Sequence, residues 1–291
     1  MGIDLNKTNP AVLITGCSTG IGYCVAHGLK ARGYRVIASA RRPEDVEKLR
    51  EEGLDCVQLD LASSASVRQG FDQAMKLTDG KLYGLFNNGA FGLPGAVEDL
   101  SRANLRHQFE TNVFGWQELT NMAISVMRTQ AGGRGEGRII QNSSVLGFVA
   151  MPFRGAYTAS KFAIEGLSDT LRLELRDTDI RISLIEPGPV LSRFRHNALL
   201  QLEQHIDYDN SIHREKYLSV LDRLKKEGPA VAFTLPPEAV LKRVIHALES
   251  RRPRARYSVT FPTYLFAALK RVLNQRSLDY LLAKAGSDGK R

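Results

Sequence analysis

Apolar residues follow two rhythms along the chain. Short runs rich in β-branched residues, such as Ala11-Val12-Leu13-Ile14 and Val36-Ile37-Ala38, mark strands near 11–15, 35–40, 54–59, 82–87, 138–143 and 180–186. Between them, apolar residues recur every three or four positions, which predicts helices near 20–32, 44–52, 64–77, 101–130 and 153–177. Strands alternating with helices imply parallel βαβ units with right-handed crossovers. The expected fold is α/β: a doubly wound, mostly parallel sheet, with ligand sites at the carboxyl ends of its strands.

After Val190 the rhythm changes. Residues 194–228 are polar and helical, Pro236-Pro237-Glu238 opens a helix over 239–251, and 256–260 reads as a short edge strand. Tyr264–Leu273 and Leu278–Leu282 are amphipathic. We therefore expect one domain over 1–291, in which 193–291 forms a substrate-lid insert and a helical C-terminal extension. The last stripes either dock on the parent core or serve as a lid, an oligomer contact or a weak peripheral membrane contact.

Composition narrows the class. With 43% hydrophobic and 24% charged residues, the 291-residue chain is globular, and no apolar run reaches the ~20 residues of a membrane span. The polar opening, Met1 to Pro10, carries no signal-peptide core, which points to the cytoplasm. Cys17, Cys24 and Cys56 are odd in number and form no C-x-x-C, so free thiols are expected, with neither a disulfide framework nor a metal site. The net charge of +9, concentrated at Arg251–Arg256 and Lys270-Arg271, suits an anionic cofactor; no zinc finger or RNA motif accompanies it, so no nucleic-acid partner is expected.

Two constellations carry chemistry. Tyr157 and Lys161 are four residues apart and share a helix face, with Ser144 thirteen residues upstream. A cation beside a phenol lowers its pKa, which makes the pair a candidate general acid/base. By itself the pair is also an ordinary solvated helix face. The second constellation is Thr15-Gly16-Cys17-Ser18-Thr19-Gly20-Ile21-Gly22, set between the first strand and the first helix. Glycines there permit a tight turn, and the helix N-terminus offers N–H groups to a phosphate.

Together these motifs resemble the short-chain dehydrogenase/reductase family. The resemblance rests on Thr15–Gly22, Asp60-Leu61, Asn87-Asn88-Gly89-Ala90, Asn112, Ser144, Tyr157, Lys161 and Pro187-Gly188-Pro189-Val190, in the family's order. The wider chain is similar to the family's bacterial NADP-dependent aldehyde reductases, and more distantly to its 17β-hydroxysteroid and retinol dehydrogenases. The resemblance implies hydride transfer between nicotinamide and a carbonyl carbon. Tyr157 is then the proton donor, Lys161 lowers its pKa and binds the nicotinamide ribose, Ser144 holds the carbonyl oxygen and Asn112 positions a relay water. Asn112 is equally a helix-kink asparagine. The implied cofactor-binding residues are Gly16, Ser18, Thr19, Gly20, Ile21, Gly22, Arg41, Asp60, Leu61, Asn88, Tyr157, Lys161, Pro187, Gly188 and Val190. Asp60 is read as the adenine-binding acid or as a helix cap. Asn87-Asn88-Gly89-Ala90 departs from the family's Asn-Asn-Ala-Gly by exchanging its last two residues.

Arg41, with Ala40 where NAD-preferring members carry an acid, favours NADP(H) over NAD. The expected activity is reduction of a small lipophilic aldehyde or ketone. Apolar Phe91, Leu93, Leu146, Phe148, Met151 and Phe153 are candidate substrate contacts or plain packing. The alternatives are a hydroxysteroid- or retinol-type alcohol dehydrogenase and a non-catalytic NADPH sensor. Family habit implies a homo-oligomer.

Overall fold

The structure is a computed structural model that describes residues 9–226, 228–229 and 231–286. Most of the polar opening stretch and the last five residues of the basic tail lie outside the described residues. Seven strands form one parallel sheet in the order β3-β2-β1-β4-β5-β6-β7: β1 Ala11–Ile14, β2 Arg35–Ala40, β3 Asp55–Gln58, β4 Gly84–Asn87, β5 Glu136–Asn142, β6 Asp179–Glu186 and β7 Arg256–Ser258.

Successive side chains of each strand serve opposite faces of the sheet. Leu13, Ile37, Val57, Leu85, Ile139 and Ile182 pack under α3 (Ser64–Leu77), α5 (Trp116–Thr129) and α6 (Gly155–Glu174). On the other face, Val12, Ile14, Val36, Ala38, Phe86 and Ile140 pack under α1 (Gly20–Ala31), α2 (Pro43–Glu51) and α9 (Glu238–Glu249). Burial on both faces is why the strands read as unbroken apolar runs. Helix α9 packs on the sheet, and β7 extends its edge beside β6, where the edge strand over 256–260 is expected. Helices α7 (Phe194–His205) and α8 (Arg214–Lys225) form a separate apolar cluster with Leu93 and Ala156. Helices α10 (Phe261–Val272) and α11 (Gln275–Gly286) fold back on Val145, Leu146 and Val149.

Local chemistry starts and stops these elements. Ser63 caps α3 by accepting from the Ser66 amide. Helix α2 opens on Pro43 with Glu44 and Asp45 in its first turn, where they meet the positive end of the helix dipole. The long helix expected over 101–130 is instead α4 (Arg102–Phe109), a π-helical turn over Glu110–Gly115, and α5. Gly115 makes the interruption possible: a Cβ there would lie 2.0 Å from the Leu61 carbonyl oxygen.

The topology locates the site. The chain winds outward from β1 to β3, then returns to begin β4 on the other side of β1. A crevice therefore opens at the carboxyl ends of β1 and β4.

Candidate active site

The loop leaving β1 is shaped by its glycines. Gly16 and Gly20 have φ of +70° and +63°, and a Cβ on Gly16 would lie 2.6 Å from the Gly89 Cα. Gly22 sits so close that a Cβ would be 2.2 Å from the Gly16 carbonyl oxygen. Thr15 ties this loop to the loop after β4: its hydroxyl accepts from the amides of Asn88 (2.8 Å) and Gly89 (2.9 Å). The Asn88 side-chain amide returns a bond to the Thr15 carbonyl (3.0 Å), and Asn142 donates to the Asn88 side-chain oxygen (2.9 Å). The exchange of small residues in Asn87-Asn88-Gly89-Ala90 thus leaves a glycine where Gly16 approaches most closely.

This cradle fits a dinucleotide. The N-cap Thr19 makes no side-chain hydrogen bond to α1, and no acid stands in the first turn. The N–H groups and positive end of the dipole therefore stay available to a phosphate. Gly16, Ser18, Thr19 and Ile21 form one wall of a cavity of about 700 Å³; Asn88, Asn142, Ser144, Tyr157, Lys161, Pro187, Gly188 and Val190 continue it. Gly20 and Gly22 shape the loop from behind. Arg41, Asp60 and Leu61 lie off the cavity, at or just past the ends of β2 and β3. Arg41 is exposed, whereas Arg42 is held by Asp45 (2.9 and 3.1 Å) at the start of its own helix. Asp60 accepts from the Ala62 amide (3.0 Å), and the α3 cap is Ser63, so the helix-cap reading of Asp60 does not hold.

Helix α6 carries Tyr157 and Lys161 on the face toward the end of β5, where Ser144 ends the strand's loop. The Ser144 hydroxyl accepts from the Leu146 amide (3.1 Å) and lines the same cavity as the Tyr157 phenol. Lys161 is fully buried. Its ammonium donates to the Asn142 carbonyl (2.8 Å) and lies 4.1 Å from the centre of the Trp116 ring. Trp116 in turn donates to the Gly89 carbonyl (2.7 Å), which links the lysine to the glycine cradle.

The electrostatics correct one expectation. Burial dominates and pushes Tyr157 up to about 12; the Ser144 hydroxyl and the Arg154 charge pull it down without prevailing. Lys161 stands 5.6 Å from the tyrosine ring centre and is not among the groups that lower it. Burial also acts on the lysine, taking it down to about 7 against the opposing charge of Glu165. Desolvation of both partners outweighs the pairing that helix spacing alone suggests.

Asn112 sits inside the π-helical turn, and π turns recur at functional sites. Its side chain grips Phe91, donating to the carbonyl (2.9 Å) and accepting from the amide (3.2 Å), and also donates to the Ser160 hydroxyl (3.2 Å). It therefore ties the loop after β4 to α6 rather than lining the cavity. The candidate substrate contacts divide. Leu146 and Met151 line the cavity. Phe91 and Leu93 pack into the α7–α8 cluster, Phe148 packs beside α10, and Phe153 sits edge-on to Tyr217.

Sequence reasoning missed several residues here. Phe194, at the start of α7, sits edge-on to Tyr157 with ring centres 5.2 Å apart. Phe233, Phe261 and Leu265 complete the apolar wall. Behind Lys161, one turn along α6, the buried Glu165 takes two bonds from Arg256 of β7 (3.0 and 3.2 Å). Arg256 also reaches Asp169 (2.6 Å) and Glu186 (3.2 Å), the last residue of β6. Burial, then the Glu165 charge, raise Glu186 to about 7. The available signal was spacing: Glu165 lies four residues after Lys161, and Glu186 directly precedes Pro187.

Comparison with known proteins agrees with this geometry. The short chain dehydrogenase family model matches residues 10–202. The chain is 43% identical over 272 residues to the uncharacterized oxidoreductase YbbO of Escherichia coli K12, covering 94% of this chain and 93% of that one. It is 33% identical to human retinol dehydrogenase 8 (92% and 86% covered) and 29% identical to an NADPH-dependent 3-dehydrocapnine reductase of Ornithobacterium rhinotracheale (94% and 95%). A short-chain dehydrogenase structure from Streptomyces avermitilis superposes with a TM-score of 0.74 over 94% of this chain and 96% of that one, at 23% identity, which speaks to the fold alone. The glycine cradle, the serine–tyrosine–lysine wall facing it and the matched length make this chain a member of the short-chain dehydrogenase/reductase family, oxidoreductases that use NAD(P)(H).

Proposed function

We propose that the protein is an NADP(H)-dependent oxidoreductase that reduces a lipophilic aldehyde or ketone to its alcohol. The observation that carries this reading is that the Tyr157 phenol and the Ser144 hydroxyl line the same cavity as the glycine cradle.

When bound, the dinucleotide supplies the hydride and accepts it in the reverse direction. The chain supplies position and a proton. The cradle and the α1 N-terminus would hold the phosphates, and Lys161, anchored on the Asn142 carbonyl, would bind the ribose. Ser144 orients the carbonyl oxygen. As charge develops on that oxygen, the Tyr157 hydroxyl donates its proton. The phenol is protonated at neutral pH, the form that the reductive direction needs. Arg41, exposed just past the end of β2, suits a 2′-phosphate, and a relative of nearly the same length carries NADPH dependence in its name. Leu146, Met151, Phe194, Phe233, Phe261 and Leu265 make the substrate end apolar, and a retinol dehydrogenase stands among the relatives.

The test is turnover of NADPH with a panel of lipophilic aldehydes and ketones. Tyr157→Phe should lower kcat by about 10²- to 10⁴-fold while leaving NADPH binding unchanged. A fully active variant would overturn the proton-donor role.

A further inference from the structure

Helix α10 is apolar on two sides. Its inner side packs: Phe266 is buried, and Leu269 lies against the same cluster of Val145, Leu146 and Val149. Its outer side carries Phe261, Leu265, Ala268 and Val272. These positions recur at spacings of four, three and four, so they form one stripe along the helix. The stripe faces outward: Phe261 is 55% exposed and Val272 is 77% exposed. Nothing among the described residues covers it.

The stripe also runs into the cavity. Phe261 and Leu265 belong to the exposed stripe and to the cavity wall alike. Phe233, 59% exposed, lies with its ring centre 4.9 Å from that of Phe261 and tilted to it, and Val231 also lines the cavity. The mouth of the cavity is thus a rim of exposed apolar and aromatic side chains.

Charge surrounds this rim with one sign. Helices α10 and α11 carry Lys270, Arg271, Arg276 and Lys284 against a single acid, Asp279. Arg243 reaches the flank of α10 and donates to the Tyr264 hydroxyl (3.2 Å). From 231 to 286 there are ten Lys and Arg against three Asp and Glu. Exposed aromatic residues beside cations fit the region where acyl chains meet anionic headgroups.

We propose that the outer face of α10, with the cavity rim and the cations of α11, docks on the surface of an anionic phospholipid bilayer. No helix among the described residues is long and apolar enough to cross a membrane, so the contact is peripheral. Apolar side chains enter the acyl boundary and the cations pair with headgroups. The cavity mouth then opens toward the hydrocarbon, and a lipophilic carbonyl can pass from bilayer to active site without crossing water. A second copy of the chain is disfavoured as the occupant because the same face carries the cavity entrance and charge of one sign, which repels its own image. The substrate route rests on the reading under "Proposed function"; the docking itself does not.

The experiment is co-sedimentation of the full chain with vesicles, without substrate or cofactor. Equal phosphatidylglycerol and phosphatidylcholine should bind the protein at least about tenfold more tightly than pure phosphatidylcholine, and raised salt should weaken binding. Val272→Glu and Arg271→Glu, both outside the cavity, should each lower anionic-vesicle binding severalfold. Turnover of a water-soluble aldehyde should stay unchanged, which shows that the variants fold. Equal binding by the variants and the wild type, or no binding to anionic vesicles, overturns the proposal. So does a Val272-sensitive dimer in light scattering without vesicle binding, which assigns the face to a second copy. Vesicle binding is independent of turnover, so an active Tyr157→Phe variant refutes the catalytic reading and leaves this one standing.

Discussion

Glu186→Gln isolates the cost of the carboxylates clamped behind the active site. Glu186 is nearly sealed, 4% exposed at its side chain. Its oxygens face Arg256 (3.2 Å) and Ser258 (3.3 Å). Burial first, then the Glu165 charge, lift its pKa from 4.5 to about 7. An acid raised by folding binds its proton more tightly in the folded state. Its contribution to stability is therefore greatest below about 4.5, falls as pH rises to about 7 and stays level above. At about 1.4 kcal/mol per pH unit, the loss across that window is about 3 kcal/mol. Glutamine has the same size, accepts from Arg256 through its amide oxygen while its amide nitrogen donates to the Ser258 hydroxyl oxygen, and cannot ionise. Urea unfolding at pH 4.5 and pH 8 should show the wild type losing about 3 kcal/mol more than the variant, a relative shift of the midpoint by about 1 M or more. The lysine in the same region works in the opposite sense: Lys161, taken down to about 7, favours stability as pH rises above 7. Because that trend is common to both proteins, the difference between them reports Glu186. Parallel profiles from pH 4.5 to 8 would refute the account.

Arg41→Asp should weaken NADPH by about 10- to 100-fold, the value of a charge-assisted contact turned repulsive, and change NADH affinity far less. Fluorescence titration of both cofactors decides it. Gly115→Ala drives a methyl group to within 2.0 Å of the Leu61 carbonyl oxygen, backbone against backbone, and should cost at least about 1–3 kcal/mol in calorimetric or urea unfolding. An unchanged Tm would show that the π-helical turn has room to relax. The three thiols should resist iodoacetamide at pH 8, since burial raises Cys17 and holds Cys24 at about 11 and Cys56 at about 12. All three should react after unfolding, and fast native labelling of Cys56 would contradict the packing.

Much of the site was legible because its signals are local. A strand, a glycine turn and a helix lie within Ala11–Ala31, and Tyr157 and Lys161 are one turn apart on α6. Backbone geometry fixes such relations before any tertiary contact forms. Alternating strands and helices likewise announced the doubly wound sheet, because burial on both faces forces unbroken apolar runs.

Other features needed distant chain. Phe91 and Phe233 are equally apolar in sequence, yet only Phe233 reaches the cavity, because α7 and α8 cover the first and α10 leaves the second exposed. The carboxylate clamp depends on Arg256, ninety-one residues from Glu165. The helix expected over 101–130 breaks where the backbone at Leu61 crowds Gly115. The acidity of the Tyr157–Lys161 pair was misjudged from spacing for the same reason. Spacing sets which groups meet, but desolvation depends on everything packed around them, and only the folded chain determines that.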